Sequence, residues 1–344
     1  MDCAAEQLLG KTLEGGWIVA EKLQRPPAST GGCFSCGYIV QKTDERAFLK
    51  ALDFSIAFGN PPNMVDTLNF LTSVYMHERD LCRKCTQRRM SHVVNVLADG
   101  IIVIDSTNPA GSSVPYLIFE LADGDIRSQL VNFDIAFCLR SLHHVAIGLQ
   151  QLHGNDIYHQ DIKPSNVLLF SKGISKLGDL GCAVTRLNPG PRDPGVSIAG
   201  DPNYAPPEQL YKKANWREYR AAGDLYLLGS MVMFLFAGSS MTASIVARMD
   251  PSFHMKKGQM TFEDALIYIR DAFGRSVDDL RASMPESLRV SLTQIVKELC
   301  DPDPELRGNP KDRSGHHNQY AIHRYVTAFD LLATRAERRM LKGI

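Results

Sequence analysis

Tyr158-His159-Gln160-Asp161-Ile162-Lys163-Pro164-Ser165-Asn166 puts a carboxylate, an ammonium and an amide into one short loop. Lys163 follows Asp161 by two residues and Asn166 follows it by five. The set suits transfer of a phosphoryl group. A carboxylate orients and deprotonates an attacking hydroxyl, an ammonium faces phosphate charge, and an amide oxygen holds a metal ion. Thirteen residues after Asn166 comes Asp179-Leu180-Gly181, a second carboxylate suited to hold Mg²⁺ between the β- and γ-phosphates.

The rest of the chain is ordinary in composition. Its 344 residues are enough for two lobes or one large domain, and 44% are apolar. The 38 acidic and 38 basic residues cancel, so no whole-chain field favours nucleic acid or an anionic membrane. Eight Cys make neither a dense disulfide framework nor a clear zinc array. Met1-Asp2-Cys3-Ala4-Ala5-Glu6-Gln7 has no basic and no apolar stretch, so a signal peptide is not expected. Free thiols in a cytoplasmic setting are the corresponding expectation. Leu225 to Ala237 is strongly apolar, but at about 13 residues it falls short of the roughly 20 that cross a bilayer. It reads as a buried core helix.

Upstream of the loop the pattern is mostly that of strands. Trp17–Leu23, Tyr38–Val40 and Ala47–Leu52 are expected strands, the last with a single Lys, Lys50. Ile101–Ile104 and Tyr116–Phe119 read as buried strands. Between them, Leu68, Leu71, Tyr75 and Leu81 predict a helix over residues 67–89. After Asp123-Gly124 the pattern turns helical, over residues 137–153, 221–236, 262–273, 286–300 and 320–340. Strands first and helices later predict an α+β fold: a small antiparallel-sheet lobe with one helix, then a larger, mainly helical lobe. The expected division is a tail over 1–11, a first lobe over 12–120, and a hinge with the second lobe over 121–344.

The order of these motifs resembles that of eukaryotic-type Ser/Thr protein kinases. His159-Gln160-Asp161 through Asn166 resembles their catalytic loop, and Asp179-Leu180-Gly181 their Asp-Phe-Gly motif. Ala47-Phe48-Leu49-Lys50 is similar to the strand whose Lys contacts the α- and β-phosphates of ATP. Glu78 is the matching helix Glu that orients this Lys, with Asp80 as competitor. Gly31 and Gly32 fall in the phosphate-covering loop, with Thr30 and Ser35 in place of other glycines. Leu117–Ala122 resembles the hinge that takes adenine, implicating Glu120 and Ala122, and Asp125 is placed for the ribose. Asp123 and Asp125 equally suit a helix cap. Gly200–Glu208 is similar to the end of an activation segment, with Glu208 expected to pair with Arg307 and Asp224 to hold the catalytic-loop backbone.

The resemblance implies ATP with Mg²⁺, a protein substrate, Asp161 as base, Lys163 as electrostatic stabiliser, and Asn166 with Asp179 on the metal. It implies neither nucleic acid nor membrane as partner. The departures matter too. Gln160 stands where many members carry an Arg that pairs with a phosphorylated activation segment, and a Gln cannot make that charge pair. Asp201 stands where a Thr is usual. These features, with the irregular glycine loop, admit a second reading: a pseudokinase, a nucleotide-binding or scaffolding module. A small-molecule kinase of the aminoglycoside-phosphotransferase type is disfavoured by Pro206-Pro207-Glu208 and Arg307. A regulatory partner at the Glu78 helix is a further expectation. Cys33, Cys36, Cys82 and Cys85 could supply four zinc thiolates, but joining them would distort the nucleotide loop.

Overall fold

The computed structural model describes residues 3–24, 35–58, 63–105, 112–130, 133–191, 198, 200–254, 260–314 and 318–341. The chain divides into two compact units, residues 1–123 with 190–192, and residues 124–189 with 193–344. The first is built on an antiparallel sheet and the second is mainly helical, the α+β arrangement expected.

In the first unit, β1 (Ile18–Lys22), β2 (Ser35–Lys42), β3 (Glu45–Leu52), β4 (Val96–Val103) and β5 (Ser113–Glu120) form one sheet in the order β1-β2-β3-β5-β4. Register pairs Lys50 with Gly37 on one side and Leu117 on the other. Alternation then sends Tyr38, Val40, Ala47, Leu49, Ala51, Val114, Tyr116 and Ile118 into one apolar cluster. The segment expected to be a tail completes that cluster. Ala4, Ala5 and Leu8 are buried in it beside Trp17 and Val19, and the Tyr38 hydroxyl donates to the Ala5 carbonyl at 2.7 Å. A sheet face this apolar needs a cover, and the N-terminal residues provide it.

Helix α1 (Met64–Gln87) begins three residues earlier than expected, because Asn63 caps it by accepting from the Asp66 N–H at 3.1 Å. Its buried positions Leu71, Val74, Tyr75, Glu78, Leu81, Cys82 and Cys85 form one stripe at helical spacing. Residues 101–104 are not a buried strand. Ile101 and Val103 are exposed because they lie on β4, the edge of the sheet. β2 is longer than expected and takes in Ser35, placed above in the glycine loop. Gly31, Gly32 and Cys33 lie outside the described residues.

The second unit packs around α3 (Ile135–His153) and α5 (Arg220–Ala237). α5 is buried without interruption from Ala222 to Met233, as its apolar sequence predicts, and ends at Gly238 with φ +75°. Helix α7 (Phe262–Ser283) runs ten residues past the expected stop, straight through Gly274, because Val277 and Leu280 continue its buried stripe. It is followed by α8 (Glu286–Leu299) and a last helix, α10 (His323–Leu341), beyond the short α9 (Pro310–Ser314). α10 lies along α3, where Arg140 donates to Asp330 at 2.6 Å and to both Glu337 oxygens at 2.8 and 2.9 Å. Two small sheets frame the catalytic-type loop. β7 (Ile157–Tyr158) pairs with β10 (Val184–Thr185), and β8 (Val167–Phe170) lies between β6 (Gly124–Asp125) and β9 (Ile174–Leu177).

Candidate active site

Within the first unit, Lys50 Nζ donates to Glu78 Oε1 at 2.6 Å. β3 carries Lys50 to the sheet face opposite the Tyr38–Leu49 cluster, and the α1 stripe carries Glu78 to it. Glu78 is almost wholly buried, so the ion pair satisfies a carboxylate that would otherwise be stranded among apolar side chains. Asp80, the competitor, is exposed and pairs with its neighbour Arg79. The Glu120 carboxylate accepts from the Asn95 N–H at 2.8 Å, and the Glu120 N–H donates to the Asn95 carbonyl at 3.2 Å. Both groups therefore fasten β5 to the start of β4. Ala122 follows β5 and is half-buried.

The second unit holds the loop. β7 delivers it and β8 takes it away, so residues 159–166 are pinned at both ends. Asp224, buried at the start of α5, accepts from the N–H groups of His159 and Gln160, each at 2.8 Å. His153 Nε2 lies 2.8 Å from the same carboxylate, a contact with no sequence signature because it joins residues 71 apart. Gln160 has φ +62°, a region costly for a residue with a side chain. Those bonds hold it there.

Asp161 is buried and surrounded by donors. Lys163 Nζ lies 2.9 Å from Oδ2 and 3.3 Å from Oδ1. Asn166 Nδ2 donates to Oδ2 at 3.0 Å and to the Asp161 carbonyl at 2.8 Å. The Asp201 N–H donates to Oδ1 at 3.0 Å. Burial pushes the Asp161 carboxyl above the usual carboxylate range. The Lys163 ammonium works against this and the charge of Asp179 adds to it. For Lys163 burial disfavours the charge, but Asp161, with Asp201 and Asp179, outweighs it and the pKa is raised. A carboxylate so held can accept a proton from a hydroxyl brought to it.

The segment after Asp179 closes on this group. A Cβ at Gly200 would stand 2.6 Å from Asp161 Oδ1 and 2.8 Å from the Gln160 carbonyl, so only glycine fits. Asp201 turns its carboxylate to Asn203, accepting from its N–H at 2.9 Å and its Nδ2 at 3.1 Å. Asp179 itself takes the left-handed backbone at φ 56°, which an Asp tolerates better than most residues. With both protons of Asn166 Nδ2 used, its amide oxygen is left for a cation, and Asp179 supplies a carboxylate. Oxygen donors of this kind fit Mg²⁺.

Asp125 caps the short helix α2 (Ile126–Gln129), accepting from the Ser128 N–H at 2.8 Å. The helix cap that the sequence admits is therefore present. Glu208 and Arg307 pair as expected, fully buried, with N···O distances of 2.7 and 2.9 Å. Cys82 and Cys85 are buried in α1 while Cys36 lies in β2, and burial pushes the Cys85 thiol up to about 12.

A family model described as the protein kinase domain matches residues 46–318. A 137-residue stretch is 31% identical to serine/threonine-protein kinases PknA of Corynebacterium glutamicum, covering 38% of this chain and 28% of that protein. Another, of 176 residues, is 29% identical to a Wee1-like protein kinase of Arabidopsis thaliana, covering 51% and 28%. A third, of 196 residues, is 24% identical to Aurora/IPL1-related protein kinase 2 of Caenorhabditis elegans, covering 56% and 54%. The chain thus spans between about a quarter and about half of the length of these relatives.

Proposed function

The chain belongs to the protein kinase family, and we propose that it is an active Ser/Thr kinase, moving the γ-phosphoryl group of ATP to a hydroxyl of a protein substrate. The observation that carries this reading is the arrangement around Asp161: an ammonium, an amide and a backbone N–H converge on one buried carboxylate. In the proposed step Asp161 takes the hydroxyl proton as the oxygen attacks the γ-phosphorus. The bond to the β-phosphate oxygen breaks and ADP leaves. Lys163 faces the charge on the transferring group. Asn166 and Asp179 would hold Mg²⁺, which when bound neutralises phosphate charge. Lys50, fixed by Glu78, would meet the α- and β-phosphates.

Asp201 supports the second reading, a pseudokinase. It stands where the family usually carries a Thr, and its carboxylate turns to Asn203. Met64, Val65, Phe70 and Met76 are exposed on α1, which supports a protein partner at the Glu78 helix. The Lys50–Glu78 pair on that helix is what such a partner would act on.

The deciding experiment uses purified protein, γ-labelled ATP and a generic protein substrate, beside an Asp161→Asn control. General-base loss lowers turnover by about 10²- to 10⁴-fold. Label incorporation that is the same in parent and control would remove the catalytic reading and leave the binding module.

A further inference from the structure

We infer that Gln209 is a positioning residue for the catalytic loop: its side-chain amide orients that of Gln160, which holds Asp224 and, through it, the peptide units leading into Asp161. The kinetic part of this inference rests on the phosphoryl-transfer reading above; the geometry does not.

Gln160 Nε2 donates to Asp224 Oδ1 at 3.0 Å and to the Arg220 carbonyl at 2.9 Å. Both partners are acceptors only, so the nitrogen end of the amide must face them. Its oxygen end then faces away, and Gln209 Nε2 stands there as donor at 3.5 Å. Both glutamines are buried. Without Gln209 the Gln160 oxygen is left as an unpaired buried acceptor. Rotating the amide to rescue it would set that oxygen against the Asp224 carboxylate. The backbone makes this orientation matter. Gln160 sits at φ +62°, and its own N–H ends on the same carboxylate oxygen as its side chain. Asp224 therefore holds the turn twice, once through the main chain and once through the amide.

The network reaches further. Arg220, whose carbonyl takes the Gln160 amide, donates from Nη1 to the Thr185 carbonyl at 3.1 Å. The loop and the start of the segment after Asp179 are thus joined through one residue of α5. The pair at its centre carries no charge. Gln209, the residue after Glu208, lies in the four-residue helix α4 (Pro207–Leu210).

The test compares Gln209→Met, Gln160→Met and the double variant with the parent; Met keeps the volume and removes the amide. Leaving one buried acceptor unpaired should lower kcat about tenfold in Gln209→Met. KM for ATP should stay within about twofold, and the double variant should be no slower than Gln160→Met, since residues acting as a unit are not additive. Amide hydrogen exchange at His159 and Gln160 should quicken in Gln209→Met and stay unchanged in β3. Should Gln209→Met not fold, Gln209→Glu, of the same shape but without the donor when ionised, must show the same slowing. Unchanged exchange at His159 and Gln160, or a loss in the double variant equal to the product of the single losses, overturns the inference. A parent without turnover removes the phosphoryl-transfer reading instead, and the exchange measurement then decides alone.

Discussion

Arg307 clasps Glu208 with two parallel hydrogen bonds across 99 residues of chain, and neither side chain touches solvent. Arg307 also donates to the Ala222 carbonyl at 2.9 Å and the Asp301 carbonyl at 3.0 Å, and its guanidinium lies 5.0 Å from the centre of the Tyr226 ring. One cation thus ties the end of the activation segment to α5 and to the loop before α9.

Breaking that pair from one side strands a buried charge. Arg307→Met should lower unfolding stability by about 3 to 5 kcal/mol, and Glu208→Leu added to it should restore much of the loss. Urea denaturation of the two variants checks this. A single variant as stable as the parent would show that the pair carries no structural weight.

The raised pKa of Asp161 sets the sign of a pH effect. The base works only when ionised, so a raised pKa moves the loss of activity to higher pH as the solution is acidified. The acid limb of kcat/KM should therefore lie above the ordinary Asp value of about 3.9. Lys163 favours the ionised form, so Lys163→Met should push the limb higher; Asp179 disfavours it, so Asp179→Asn should bring the limb down. A limb that Lys163→Met moves downward would contradict the assignment.

Asp179→Ala should weaken nucleotide binding only when Mg²⁺ is present, because it removes an anion facing the metal. Calorimetric titration with ATP, run with magnesium and again with EDTA, separates the two cases. Equal affinities for parent and variant in magnesium would argue that Asp179 holds no metal.

Activity should not depend on phosphorylation of the segment between Asp179 and Gly200. Gln160 offers no charge to a phosphate, and its amide is already committed to Asp224 and Arg220. Thr185 is held through its main chain by β7 and by Arg220, and its hydroxyl accepts from the Asn188 N–H at 3.0 Å. Ser197 lies outside the described residues. A Thr185→Ala, Ser197→Ala variant treated with phosphatase should keep its turnover within about threefold of the parent, given the small effects of surface changes. A collapse that acidic residues at either position reverse would refute this.

The features legible in the sequence are those whose chemistry sits in contiguous residues. Asp161, Lys163 and Asn166 share one loop, and their proximity follows from spacing alone. Glu78 came from the family's pattern, and the fold adds the stripe that buries it, four residues after Val74 and three before Leu81. Asp224 and Arg307 needed the family's pattern to be found at all. The role of Gln209 has no local sign, since Gln160 lies 49 residues away. The cap made by Asp125 was readable, but short-range capping and a ribose contact ask for the same side chain. The exposure of Ile101 and Val103 was hidden because an edge strand and a central one can share an apolar run. The burial of Ala4, Ala5 and Leu8 was missed because the six polar and small residues over 2–7 give no period to read.

That buried N-terminal segment lies outside the stretch the protein kinase domain model matches. The matched residues start at Arg46, one position into β3, after β1 and β2 have already been laid down. A fragment trimmed to the matched stretch would lose the two strands that shield β3 and the residues that roof Leu49 and Tyr116. β3 would become a raw, apolar edge, free to recruit the same edge of another molecule. An expression screen on such fragments would return aggregates, and their insolubility would reflect where the cut was made.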